Sequence, residues 1–105
     1  MEENKFNISS NQLQIVKHIL NENFKDVTIW IFGSRVSGNN KEYSDLDIAL
    51  QFNDYNDKIY RKLAASLSDF IDSDLPFKVD IIDYNSLSGI FKQNVDETKI
   101  KLILN

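Results

Sequence analysis

The chain has no cysteine, which excludes a disulfide framework and any thiolate metal site. Proline occurs once and glycine three times among 105 residues, too sparsely for a collagen-like or low-complexity chain. No apolar run approaches the roughly 18–20 residues that span a bilayer. The opening MEENKFNISS lacks the pattern of a signal peptide, so a cytoplasmic protein without membrane association is expected. A basic excess is missing as well. With 16 acidic against 12 basic side chains the net charge is −4. That argues against stable nucleic-acid binding, which normally calls for a basic patch. A nucleotide ligand stays compatible, because bound metal ions invert the local charge of an acid cluster.

What is present fits one small domain, residues 1–105, with ordinary hydrophobic (42%) and charged (27%) content. A chain this long buries about 60–70% of its unfolded surface, enough for one sheet-and-helix core. Asn7 to Asn23 reads as a helix capped by Ser9 or Ser10, with Leu13, Val16, Ile19, Leu20 and Phe24 recurring at spacings of three and four. His18, the one histidine, falls off that stripe and is assigned to a solvated helix position. Val27 to Phe32 is β-branched and aromatic, as in a central strand covered on both faces.

Gly33-Ser34 breaks that strand, Arg35-Val36-Ser37 makes a helical turn or two before Gly38, and Asn39 to Glu42 is a polar loop. A second strand runs from Ser44 to Phe52. A helix then runs from about Tyr55 to Ser73, with Ile59, Tyr60, Leu63, Ala64, Leu67, Phe70 and Ile71 on one face. Phe77 to Asp83 is a third strand, Asn85 or Ser86 caps a short helix through Val95, and Lys99 to Leu104 ends the chain as an edge strand guarded by lysines. The fold class is α/β (α+β), a small mixed sheet flanked by helices.

Three features point to chemistry. A glycine-serine pair directly after a buried strand offers backbone N–H groups and a hydroxyl where glycine permits close approach to a phosphate. Asp45 and Asp47 stand two apart at the entrance of a strand, which puts both carboxylates on one face. A frayed strand start would explain that pair equally well, but aspartate is depleted in strands, and two adjacent carboxylates repel unless a cation lies between them. Asp80 interrupts the apolar run Val79-Asp80-Ile81-Ile82, where an unpaired charge is costly. Lys78 shares its face and is expected to pair with it. Asp83, at the turn, suits a capping role. Arg35 is expected either to touch a phosphate or to pair with Glu42 at the surface. Trp30, Phe32 and Phe52 read as core, and Tyr43 as a loop-packing residue rather than a stacking platform.

Together, GSRVSG from Gly33 to Gly38, SDLD from Ser44 to Asp47, and Asp80 on a later strand resemble the motif of the DNA polymerase beta-like nucleotidyltransferase superfamily, in particular its minimal nucleotidyltransferases. The resemblance covers nearly the full length. It implies that Asp45 and Asp47 hold two Mg²⁺ ions, that Asp80 completes the metal site and favours deprotonation of an acceptor hydroxyl, and that Gly33 and Ser34, followed by Arg35, meet the phosphates of ATP. Oxygen-only ligands suit Mg²⁺. The implied reaction is AMP transfer with release of pyrophosphate. The family's small members resemble antitoxins that modify a tyrosine of a HEPN-domain ribonuclease toxin, so such a toxin is the expected partner. The alternatives are an antitoxin acting by binding alone with an inactive site, or transfer to a small molecule or an RNA end.

Overall fold

The computed structural model describes residues 6–54 and 56–104. Its elements are α1 (Ser10–Asn23), β1 (Val27–Phe32), α2 (Ser34–Ser37), β2 (Leu46–Phe52), α3 (Lys58–Ile71), β3 (Val79–Asp83), a 3₁₀ turn (Tyr84–Ser86), α4 (Gly89–Thr98) and β4 (Ile100–Leu102). The mixed sheet and flanking helices expected from the pattern are present, with shorter ends. The expected start of the long helix at Tyr55 lies outside the described residues.

Ser9 begins α1 with a capping box: its Oγ accepts from Gln12 N–H (3.1 Å) and its own N–H donates to Gln12 Oε1 (2.9 Å). The stripe Leu13, Val16, Ile19 and Leu20 then faces inward. β1 and β2 are antiparallel, and the short connection between them contains α2. β2 and β3 are parallel, which requires a crossover, and α3 supplies it. The strand order is β3-β2-β1-β4, so β4 is an edge as expected.

Period-two alternation gives the sheet two unlike faces. Ile29, Ile31, Leu46, Ile48, Leu50, Val79 and Leu102 join α1 and α3 residues in one buried cluster. The opposite face carries Trp30 and Phe32 from β1, Asp47, Ala49 and Gln51 from β2, and Asp80 from β3. Trp30 and Phe32 are therefore only half-buried, on the far side of the sheet from the main core they were expected to join, while Phe52 is buried within it.

The α3 face also differs from expectation. Ile59, Ser66 and Phe70 are its buried residues, whereas Tyr60 and Ile71 are exposed. α1 packs against α3, and Ser66 is fully buried, its hydroxyl donating to Leu63 O (2.8 Å). The final helix begins later than expected: Asp83 and the 3₁₀ turn intervene, and Ser88 is the N-cap. Among the described residues no helix is long and apolar enough to cross a membrane.

Candidate active site

The sheet register gathers the acids. Asp47 on β2 pairs in register with Asp80 on parallel β3 and with Phe32 on antiparallel β1. Asp47 and Asp80 therefore sit side by side on the half-open face, and Asp45 lies just before the strand. The electrostatics report this crowding. Asp47's carboxyl is pushed up to about 6, first by desolvation and then by the negative charges of Asp80 and Asp45. The expected Lys78–Asp80 pair is present at 3.5 Å between two exposed side chains, a contact that solvent weakens.

The phosphate-cradle candidate lies directly against these acids. Gly33 has φ 84° and ψ −157°, a conformation open essentially to glycine. A Cβ at this position would also run into Asp47 Oδ2. Two constraints thus demand glycine, and the backbone passes over the carboxylate because no side chain stands there. Val36 and Ser37 N–H bond back to Gly33 O (both 3.1 Å). As at any helix start, the leading N–H groups have no carbonyl of their own turn to bond. Gly38 ends α2 in the left-handed region, its N–H on Ser34 O at 2.9 Å.

Gly33→Ala should cost about 1–3 kcal/mol from backbone strain and, by displacing the Asp47 carboxylate, abolish nucleotide-induced thermal stabilisation. Gly38→Ala has the same sign of φ but nothing within 4 Å of the added Cβ. It should cost about 1–2 kcal/mol and keep nucleotide binding. Equal retention of binding in both variants would contradict a ligand-bearing turn at Gly33.

Arg35 does not join the phosphate-facing group, contrary to expectation, and it makes no surface pair with the Glu42 side chain. It is buried, at 4% exposure. Its guanidinium donates to the carbonyls of Asn7 (2.6 Å), Glu42 (2.9 Å) and Ser44 (3.0 Å), and stacks over the Phe77 ring at 4.1 Å. Burial lowers its pKa. Arg35 thereby fastens the loop that delivers Asp45. Asp83 caps as expected, accepting from Asn85 N–H (2.9 Å) and Ser86 Oγ (2.7 Å). Tyr43 is exposed and packs less than expected, and His18 meets Glu22 on the solvated side of α1 (3.8 Å).

The donor set suits a hard divalent cation. Asp45, Asp47 and Asp80 offer oxygen only, and Asp47's pKa is raised first by desolvation and then by its two carboxylate neighbours. Among the described residues no three such side chains are already gathered as a finished cage.

Comparison with known proteins bears on this arrangement. Residues 14–105 match the family model described as "Polymerase beta, Nucleotidyltransferase". A probable protein adenylyltransferase MntA of Haemophilus influenzae is 40% identical over 89 residues, covering 85% of this chain and 76% of that protein. Protein adenylyltransferase MntA of Shewanella oneidensis is 36% identical over 86 residues, covering 81% and 59% respectively. Among solved structures, a toxin-antitoxin with AMP-PNP superimposes with TM-score 0.63 at 32% identity, over 87% of this chain and 72% of that one. The toxin-antitoxin MntA-HepT gives TM-score 0.54 at 28% identity, over 88% and 71%.

Proposed function

The chain belongs to the polymerase beta nucleotidyltransferase family, and from that premise we propose that it moves AMP from ATP to a hydroxyl of a partner protein, a tyrosine of a cognate HEPN ribonuclease toxin, and so acts as an antitoxin. One observation carries the reading: the Gly33 backbone lies directly against Asp47, which stands beside Asp80 on a half-open sheet face. Phosphate and carboxylate in such proximity need a cation, and the relatives matched by this chain are named protein adenylyltransferases. A solved neighbour that contains AMP-PNP supports the nucleotide.

In this reading the Gly33-Ser34 turn binds the β- and γ-phosphates through backbone N–H groups and the Ser34 hydroxyl. Asp45 and Asp47 would hold Mg²⁺, with Asp80 completing the set. Bound Mg²⁺ neutralises phosphate charge and stabilises the attacking and leaving oxygens of an in-line displacement. The Asp80 carboxylate accepts the proton of the acceptor hydroxyl, whose oxygen bonds to the α-phosphorus as the bond to the β-phosphate oxygen breaks. Pyrophosphate leaves. The half-open sheet face leaves Asp47 and Asp80 within reach of a protein acceptor.

The test uses ATP labelled in its α-phosphate, Mg²⁺ and the candidate toxin. Label should appear on the toxin with the intact protein and fall at least about 10³-fold when Asp45 and Asp47 are both alanine, since these residues act as one unit. Equal neutralisation of the toxin by the double variant, without label, would leave an antitoxin that works by binding alone.

A further inference from the structure

Beside the Gly33 turn, on the β1 side of Asp47, helix α4 leans over the sheet. Its Val95 is buried yet lies outside the main core cluster, so the helix has its own contact with this second face. Between α4 and the end of β1 is a cleft of about 300 Å³, lined by Phe32, Gly33 and Ser37 on one side and by Phe91 and Asn94 on the other. That volume is at the bottom of the range for ligand sites. It is small for a whole nucleoside triphosphate and adequate for one ring system.

The lining has the chemistry of a base site. The Phe91 ring is half exposed yet held, edge-on to Phe32 with centroids 6.4 Å apart and planes at 79°. A ring fixed at its edge keeps a face available for stacking. Asn94 lies three residues on, which places it beside Phe91 on the helix surface. Among the described residues its side-chain amide makes no hydrogen bond; only its backbone carbonyl is used, by Thr98 (3.4 Å). One donor and one acceptor side by side match the N6 and N7 atoms of adenine.

The cleft is also preorganised and continuous with the phosphate site. Asp96 on α4 accepts from Tyr84 Oη (2.6 Å), Lys99 Nζ (2.7 Å) and Lys92 Nζ (3.0 Å), and Lys99 lies over the Trp30 ring at 4.8 Å. The helix is thereby tied to the end of β3 and to β1, so little ordering remains to be done when a ligand arrives. Gly33 belongs both to the turn that faces the acids and to the cleft. A triphosphate on that turn holds its nucleoside within reach.

We propose that this cleft takes the nucleobase of the nucleoside triphosphate, stacked on Phe91 and read at its edge by Asn94, and that it selects adenine. The assignment rests on the nucleotidyltransferase reading of the Gly33-Ser34 turn.

Binding of ATP, GTP and inorganic tripolyphosphate, each with Mg²⁺, separates the two. The wild-type chain should bind ATP about tenfold or more tightly than tripolyphosphate and than GTP. Phe91→Ala should remove most of the advantage over tripolyphosphate while tripolyphosphate affinity stays unchanged. Asn94→Ala should make ATP and GTP equal. Asn94 is exposed, so an unchanged unfolding midpoint is expected there. Phe91→Ala gives up the contact with Phe32 and should lower the midpoint modestly, and its unchanged tripolyphosphate affinity serves as the control for an intact fold. If both variants bind ATP like wild type while tripolyphosphate still binds, the base lies elsewhere and the proposal is overturned, with the phosphate site intact. If neither ATP nor tripolyphosphate binds the wild type, the phosphate reading falls and the base site falls with it.

Discussion

Asp47→Asn is expected to abolish AMP transfer and, in the absence of metal, to make the protein more stable at pH 8. The first effect follows from the metal-holding role proposed for Asp47, and a fall of at least about 10³-fold is expected. The second follows from linkage. An unfolded aspartate titrates near 3.9, whereas in the fold Asp47 titrates at about 6. Between those values the native state holds more protons than the unfolded state, so native stability falls as pH rises through the window. It is flat above the window and fully restored below it.

The gap between those two values corresponds to about 3 kcal/mol, and the solvent exposure of a half-buried carboxylate reduces that to about 1–2 kcal/mol. Asparagine carries no such charge. The variant should therefore match wild type near pH 4 and exceed it at pH 8, as read by denaturant unfolding at both values. Mg²⁺ should reverse the ranking at pH 8 by stabilising only the wild type, and should do so less at pH 5, where protons compete for the same oxygens. Parallel pH–stability curves for the two proteins would show that the acid cluster is not strained.

The local parts of this site could be read from neighbouring residues, whereas its assembly was legible chiefly through resemblance to a family motif. A glycine-serine break after an apolar strand and aspartates two apart are short-range patterns that follow from period-two alternation. That Asp47 stands level with Asp80 is a matter of register between parallel strands joined through α3. Sequence suggests it through the cost of an acid within an apolar run and through the motif resemblance that joins Asp80 to the Asp45–Asp47 pair, while the register itself is long-range. The close approach of Gly33 to Asp47 was hidden for the same reason, because a glycine after a strand reads first as a turn. On α3, apolar type overstated burial: Tyr60 and Ile71 sit at the margins of the stripe and face solvent, while polar Ser66 is fully buried. Its hydroxyl is satisfied within the helix by Leu63 O at 2.8 Å, which removes the cost of burying it.

Arg35 is the sharpest instance, and it carries a large expected effect. A cation immediately after a glycine-serine turn that suits phosphate invites assignment to the phosphate. Its actual partners are backbone carbonyls at Asn7, Glu42 and Ser44, the first separated from it by 28 positions. The guanidinium fork, with five donors in a fixed plane, satisfies several carbonyls at once. The segment around residue 7 is tied in reciprocally, since Asn7 N–H donates to Arg35 O at 2.8 Å.

Arg35→Met keeps apolar contact with Phe77 and removes every donor. Hydrogen bonds to charged groups contribute about 1.5–3 kcal/mol each, and water can reach some of the released carbonyls, so a net loss of about 3 kcal/mol is expected. That is a substantial part of the roughly 5–15 kcal/mol that holds a small domain together, and it corresponds to a fall in Tm of more than about 10 °C. Arg35→Lys keeps the charge without the fork and should fall between the two. Because the loop at 41–44 leads into Asp45, both variants should also weaken Mg²⁺ binding in proportion to their loss of stability. A phosphate-binding arginine would behave differently: Arg35→Lys would retain the wild-type Tm and lose only nucleotide affinity. Thermal unfolding measured without nucleotide decides between the two roles, because only the carbonyl-stapling role lowers the midpoint when no phosphate is present.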